Sequence, residues 1–221
     1  MNPKKHAAKI HQALVEEFGL PDWRPHLSPV GELVSTILSQ NTNDTNRDVA
    51  YDSLRERFPT WEQVRDARED EVINAVRIAG LANQKGPAIQ NALRVIQEER
   101  GAIELDFLSS LSGQEASDWL VKLKGVGPKT AAIVLLFSLN IPAFPVDTHV
   151  YRVSGRVGIR PDGMSANKAH QYLAEQFQPD TYYPVHLNLI RLGREICKAR
   201  KPLCNSCPLQ GMCDHYENLQ K

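Results

Sequence analysis

The sequence predicts an all-α protein, and three observations carry that reading. Apolar residues recur at helical spacing along most of the chain, helix starts are marked by capping residues, and no segment alternates apolar and polar residues over a strand's length. Roughly ten helices are expected. They are joined by short loops, with no low-complexity tract and no repeat of solenoid period.

Each element has its own justification. Ser28-Pro29 opens a helix whose apolar face carries Val30, Leu33, Val34, Ile37 and Leu38. Thr60 with Gln63, and Ser112 with Glu115, have the spacing of capping boxes. Val72, Ile73 and Val76 form a periodic set ending at Gly80, and Ile89, Leu93 and Ile96 form another before Gly101. The run from Ala131 to Phe137 would suit a buried strand by composition, but its extension from Pro128 to about Leu139 favours a helix buried on all sides. Asp147 and Ser165 are placed as N-caps, and Val185, Leu189, Leu192 and Ile196 complete the pattern. Two prolines within Asn140-Ile141-Pro142-Ala143-Phe144-Pro145 interrupt it, which marks the expected hinge if the chain forms two lobes.

Composition narrows the class without naming a partner. With 221 residues and 42% hydrophobic content, the chain can bury a core as one large domain or two small lobes. Its 26 basic and 26 acidic residues cancel, so any surface for a polyanion must be local. The strongest window holds Arg191, Arg194, Lys198, Arg200 and Lys201 against Glu195 alone, although a solvated helix face would look similar. The basic N-terminus leads into no apolar segment, and the longest apolar run is too short to cross a bilayer. A monomeric cytoplasmic protein with no membrane association is expected.

The most informative stretch is Leu123-Lys124-Gly125-Val126-Gly127-Pro128-Lys129-Thr130-Ala131. Two closely spaced glycines allow a tight turn with exposed amides, and Pro128 suits the first position of a helix. Unpaired N–H groups and the positive end of the helix dipole make such a terminus a phosphate-binding device. Lys129 falls in its first turn, where an amine is either a second phosphate contact or a nucleophile aimed at a sugar carbon.

Every cysteine lies near the C-terminus, as Cys197, Cys204, Cys207 and Cys213, with spacing C-x6-C-x2-C-x5-C. Four thiolates closing one small loop in a chain without a secretory signal point to a metal centre rather than disulfides. Spacing alone leaves structural zinc and an iron–sulfur cluster open, with zinc the commoner outcome for Cys-x2-Cys. Either would order a segment with few large apolar side chains, and would make Lys198-Ala199-Arg200-Lys201 a rigid basic finger able to neutralise phosphates.

The hairpin with its lysine, the Val146-Asp147-Thr148-His149 element and the terminal cysteine loop, in that order, resemble the endonuclease III family of helix-hairpin-helix DNA glycosylases. The likeness covers essentially the whole chain. It implies a six-helix barrel over residues 23–141, with the helix-hairpin-helix near 113–139, and an iron–sulfur lobe joining residues 1–22 to 142–221. It implies a [4Fe–4S] cluster on the four cysteines, a nucleophilic amine at Lys129 and a catalytic carboxylate at Asp147. Gly80-Leu81-Ala82-Asn83-Gln84-Lys85 is similar to the family's loop that pushes a leucine into the duplex, which makes Leu81 the wedge; without the family, a contact closing the turn after Gly80 is the ordinary reading.

The implied activity is a bifunctional glycosylase and abasic-site lyase for oxidised pyrimidines, acting on damaged or abasic duplex DNA at the nucleoid. Gly125 and Gly127 would grip phosphate, Lys198, Arg200 and Lys201 would hold the backbone, and His149 would orient the carboxylate, touch phosphate or be structural. One departure bears on substrate choice. Many bacterial relatives carry a glutamine where this chain has Asn41, one residue after Gln40, so either amide could face the orphan base. The change also resembles glycosylases for thymine or uracil opposite guanine, the nearest alternative; a non-catalytic DNA-binding module with structural zinc is the more distant one.

Overall fold

The computed structural model describes residues 2–220, which form twelve α-helices, short 3-10 turns and no strand. In chain order the helices are α1 (Pro3–Phe18), α2 (Pro29–Leu38), α3 (Asp44–Arg57), α4 (Trp61–Asp66), α5 (Glu69–Ala75), α6 (Ala82–Arg100), α7 (Gly113–Leu120), α8 (Pro128–Leu139), α9 (Thr148–Arg156), α10 (Ala166–Gln176), α11 (Tyr182–Glu195) and α12 (Asp214–Leu219). The chain divides into two compact units, one running from Pro25 to Ile141 and the other combining the residues up to Arg24 with those from Pro142 onward. None of the helices among the described residues is long and apolar enough to cross a membrane.

In the Pro25–Ile141 unit, α2 packs against α3, α6 and α8, while α4 and α5 pack on α6. Every residue of α2 is buried, including those off its apolar stripe. The burial works because that other face carries the small Gly31, Ser35 and Thr36 and a glutamate that has a partner. Gly31 lets the Tyr51 hydroxyl come within 2.8 Å of where a Cβ would stand, and Glu32 meets His26 Nδ1 at 3.0 Å. α8, the helix expected to be buried on all sides, has the bounds read from the sequence but leaves Pro128 exposed and Lys129, Ile133 and Phe137 partly so. Both capping boxes form as expected, at the starts of α4 and α7.

α6 begins well before its apolar periodicity does. Gly86 and Pro87 look like breakers, yet both lie inside the helix. At Gly86 a Cβ would come within 3.0 Å of the Ile73 side chain, so α5 packs where only glycine leaves room.

In the other unit, α11 packs on α1 and α9, with α10 against α1 and α12 against α9. The buried Asn188 amide donates to Leu14 O (3.4 Å) and Gly19 O (3.0 Å), tying down the end of α1. His6 Nε2 lies 2.6 Å from Val157 O, which anchors the start of α1. From Cys197 to Gln220 only Leu209 and Cys213 are buried.

Candidate functional site

The hairpin linking α7 to α8 closes through Leu123 N–H to Leu120 O (3.1 Å) and Val126 N–H to Leu123 O (3.0 Å). Gly125 has φ +85°, which L side chains rarely adopt. Gly127 is different. It caps α8 in extended backbone (φ −101°, ψ 179°) that any residue adopts, and a Cβ there would meet nothing within 4 Å. Its bareness therefore serves no need of the fold; it leaves the helix N-terminus open to a ligand. Pro128 and Lys129 occupy the first two positions of α8, and Lys129 is half-buried.

Two loops of the same unit face a groove of about 660 Å³ whose walls include Asn41, Leu81, Lys85, Arg94, Lys124 and Gly125. Gln40 and Asn41 diverge. The Gln40 amide donates to Gly125 O at 3.0 Å, which ties it to the hairpin, whereas Asn41 is exposed with φ +52°. Leu81 precedes α6 in left-handed backbone (φ 50°, ψ 31°) and is 47% exposed, so its side chain closes no helix end. Lys85, one turn on, is 2% exposed; burial lowers its pKa from the ordinary lysine value.

In the other unit Asp147 caps α9, its Oδ1 accepting from Val150 N–H at 2.7 Å, as the sequence suggested. The backbone leading to it is held from both sides. His186 Nδ1 lies 3.0 Å from Pro145 O and His170 Nδ1 lies 3.0 Å from Phe144 O, while the Phe144 ring stacks on Phe177. Sequence reasoning missed both histidines, because lone histidines distant in the chain carry no local pattern. His149 packs beside Gly193 of α11, where a Cβ would come within 2.9 Å of the histidine Cβ. Arg152 donates to His149 Nδ1 (3.1 Å), Gly193 O (2.8 Å) and Cys197 O (3.0 Å). Since a guanidinium only donates, Nδ1 is the acceptor and the neutral ring carries its proton on Nε2.

Lys198, Arg200 and Lys201 are all exposed, and Lys201 has φ +51°. Arg156 holds the finger from below, donating to Lys198 O (2.7 Å) and Ala199 O (3.1 Å), with the Cys197 sulfur at 3.4 Å. Arg191, counted in the basic window, is instead paired with Glu195 (3.0 Å) and lies over the Phe18 ring. The four cysteine side chains line one pocket walled by Val157, Leu192, Ile196 and Pro202. Burial first, then the neighbouring thiols, pushes Cys207 up to about 11, against an opposing hydrogen bond from the Leu209 backbone. Four soft sulfur donors around an apolar pocket, with a guanidinium N–H on one sulfur, fit a partly buried iron–sulfur centre, which would hold them as thiolates.

Comparison with known proteins agrees with this geometry. Residues 34–179 match the family described as HhH-GPD superfamily base excision DNA repair protein, and residues 197–213 match the iron–sulfur binding domain of endonuclease III. The second match bears out the expected [4Fe–4S] cluster on Cys197, Cys204, Cys207 and Cys213 over the alternative of structural zinc. The chain is 33% identical over 213 residues to endonuclease III of Thermotoga maritima, covering 96% of this chain and 94% of that protein. It is 34% identical over 186 residues to endonuclease III of Sulfolobus acidocaldarius, covering 83% and 81%. Among solved structures, a trapped covalent endonuclease III–DNA intermediate superposes with a TM-score of 0.85 at 27% identity over the whole of both chains. A thermostable thymine-DNA glycosylase shares the fold, with a TM-score of 0.81 at 20% identity and coverage of 97% and 98%.

Proposed function

The chain belongs to the HhH-GPD superfamily of base excision DNA repair proteins, as an endonuclease III-like DNA glycosylase, and from that premise we propose that it is bifunctional, releasing oxidised pyrimidines from duplex DNA and then cutting the strand. The observation that carries the reading is the place of Lys129, in the first turn of α8 directly behind the bare Gly127 cap. A phosphate gripped by the hairpin amides brings a sugar carbon of the same nucleotide within reach of that amine.

Extruding the damaged nucleotide from the stack costs about 2 to 5 kcal/mol. Leu81 and Asn41, both exposed in left-handed backbone, fill the gap left behind. The Lys129 amine attacks C1′, and the C1′–N bond breaks with its electron pair leaving on the base, which takes up a proton. Opening of the sugar ring gives an imine between Nζ and C1′. Loss of the C2′ proton then expels the 3′ phosphate by β-elimination, and water releases the lysine. Asp147 supplies negative charge opposite the cationic sugar in the transition state while its cap bond fixes its direction. The Nε2–H of His149 and the finger at Lys198, Arg200 and Lys201 donate to backbone phosphates. The related endonuclease III forms a trapped covalent complex with DNA, which supports an imine here.

A second reading, thymine or uracil opposite guanine as the main substrate, is favoured by Asn41 alone, whose shorter amide reaches less far across the gap. Borohydride trapping separates the two on duplexes bearing an abasic site, thymine glycol or a uracil–guanine mispair. The proposal expects an adduct strongest with thymine glycol among the intact bases, lost in Lys129→Ala, and turnover reduced by about 10²- to 10⁴-fold in Asp147→Asn, which keeps the cap. No adduct on any duplex would overturn the lyase assignment. A stronger adduct with the uracil mispair would establish the second reading.

A further inference from the structure

Lys85 is the most buried charged side chain of the Pro25–Ile141 unit, and neither the proposed chemistry nor phosphate binding uses it. Its Nζ donates to Leu38 O at 2.8 Å and to Ala79 O at 2.7 Å. Leu38 is the last residue of α2, and Ala79 closes the 3-10 turn that comes after α5. Carbonyls at the ends of helical segments lack intrahelical partners and carry partial negative charge, so they are where a buried ammonium is best tolerated. One amine thus ties together the ends of two helical segments that are far apart in sequence.

The residues just beyond those two carbonyls give the contact its meaning. Asn41 comes three residues after Leu38, and Leu81 two residues after Ala79; both are exposed, both have φ close to +50°, and both line the same groove. Gly86, directly beside Lys85 in the chain, has no room for a side chain against Ile73, so the backbone that carries the amine cannot shift easily. Gln40 adds a strut from the first loop to the hairpin at Gly125.

We propose that Lys85 is a positioning residue that sets the spacing between the Asn41 and Leu81 loops, so that both enter the duplex as one rigid pair. The proposal rests on the reading that these two residues fill the gap left by the extruded nucleotide. A staple that merely stabilises the unit would weaken every activity alike. A spacer for the two wedges should matter only where a stacked duplex has to be opened.

The test uses the full chain with its cluster. Lys85→Met keeps length and apolar packing but removes the donors. Borohydride trapping is compared on an abasic site in a duplex and on the same site in a single strand, which needs no wedge. The fluorescence of 2-aminopurine opposite an abasic analogue reports unstacking. Loss of two charge-assisted hydrogen bonds should lower duplex trapping about 10-fold or more. Single-strand trapping should stay within about twofold, the 2-aminopurine rise should disappear, and adding Leu81→Ala should bring little further loss. Equal loss on both substrates, or an unchanged duplex signal, would overturn the proposal. If Lys85→Met does not fold, Lys85→Arg, which keeps donors but displaces them, takes its place with the same expected fall in the duplex to single-strand ratio. If Leu81→Ala and Asn41→Ala both leave the 2-aminopurine response intact, the gap-filling reading itself fails. If they abolish it and Lys85→Met does not, only the role of Lys85 fails.

Discussion

The Pro25–Ile141 unit and the C-terminal segment from Cys197 onward are ordered by opposite means. The first buries Leu33, Leu54, Leu93, Ile96, Leu108, Leu120 and Leu135 completely, and α2 is enclosed on every side. The second buries only Leu209 and Cys213 over its described residues. An apolar core loses stability by degrees as side chains are trimmed, whereas a metal-tied loop is present or absent as a whole. The difference teaches where each region is fragile: the Pro25–Ile141 core does not tolerate cavities, and the segment from Cys197 onward does not tolerate loss of a ligand.

The sharpest way to break the comparison is Cys204→Ala. Loss of one cluster ligand should abolish the broad visible absorbance, open the segment from Cys197 to proteolysis and weaken DNA binding by about 10-fold or more through the freed finger. Most of the far-ultraviolet helical signal should remain. Collapse of that signal would show that the helices also depend on the cluster. Leu93→Ala should do the converse, lowering unfolding free energy by about 2 to 5 kcal/mol in denaturant titration while visible absorbance per folded molecule stays constant.

Two smaller effects sharpen it. Arg156→Gln leaves the Lys198 and Ala199 carbonyls and the Cys197 sulfur without their guanidinium, and should weaken duplex affinity by about 3- to 10-fold in a salt-matched titration. The expected loss is uniform across sequences. Ser112→Ala removes one half of the capping box before the hairpin and should cost about 1 kcal/mol of stability, read as a small fall in melting temperature. A larger loss would mean that the cap also shapes the hairpin.

What the sequence makes legible is what neighbours in the chain decide. The boxes at Thr60 and Ser112, the cap at Asp147, the bounds of α8 and the cysteine loop all rest on contacts within a few residues, and each was readable. The start of α6 was not, because Gly86 and Pro87 look like breakers until Ile73 is seen against them. Nor were the roles of Lys85, His170 and His186, whose partners lie 6 to 47 residues away and are backbone carbonyls that leave no trace in composition. The different surroundings of Gln40 and Asn41 were not readable either, because the Gln40 amide is tied by a hydrogen bond across 85 residues of chain. Arg191 shows the reverse error, a charge that counted toward a basic window and is paired with its own helix.

The left-handed backbone at Leu81 and Lys201 has a consequence for anyone who engineers this protein. Asn140 shares the conformation for an ordinary reason, as the residue that ends α8, and asparagine bears it well. Leucine and lysine do not, and each resists by about 1 to 2 kcal/mol. A selection that rewarded heat resistance alone would convert both to glycine and return a sturdier molecule that, under the proposed function, has a blunted grip on the duplex. These two positions belong outside any stabilising library.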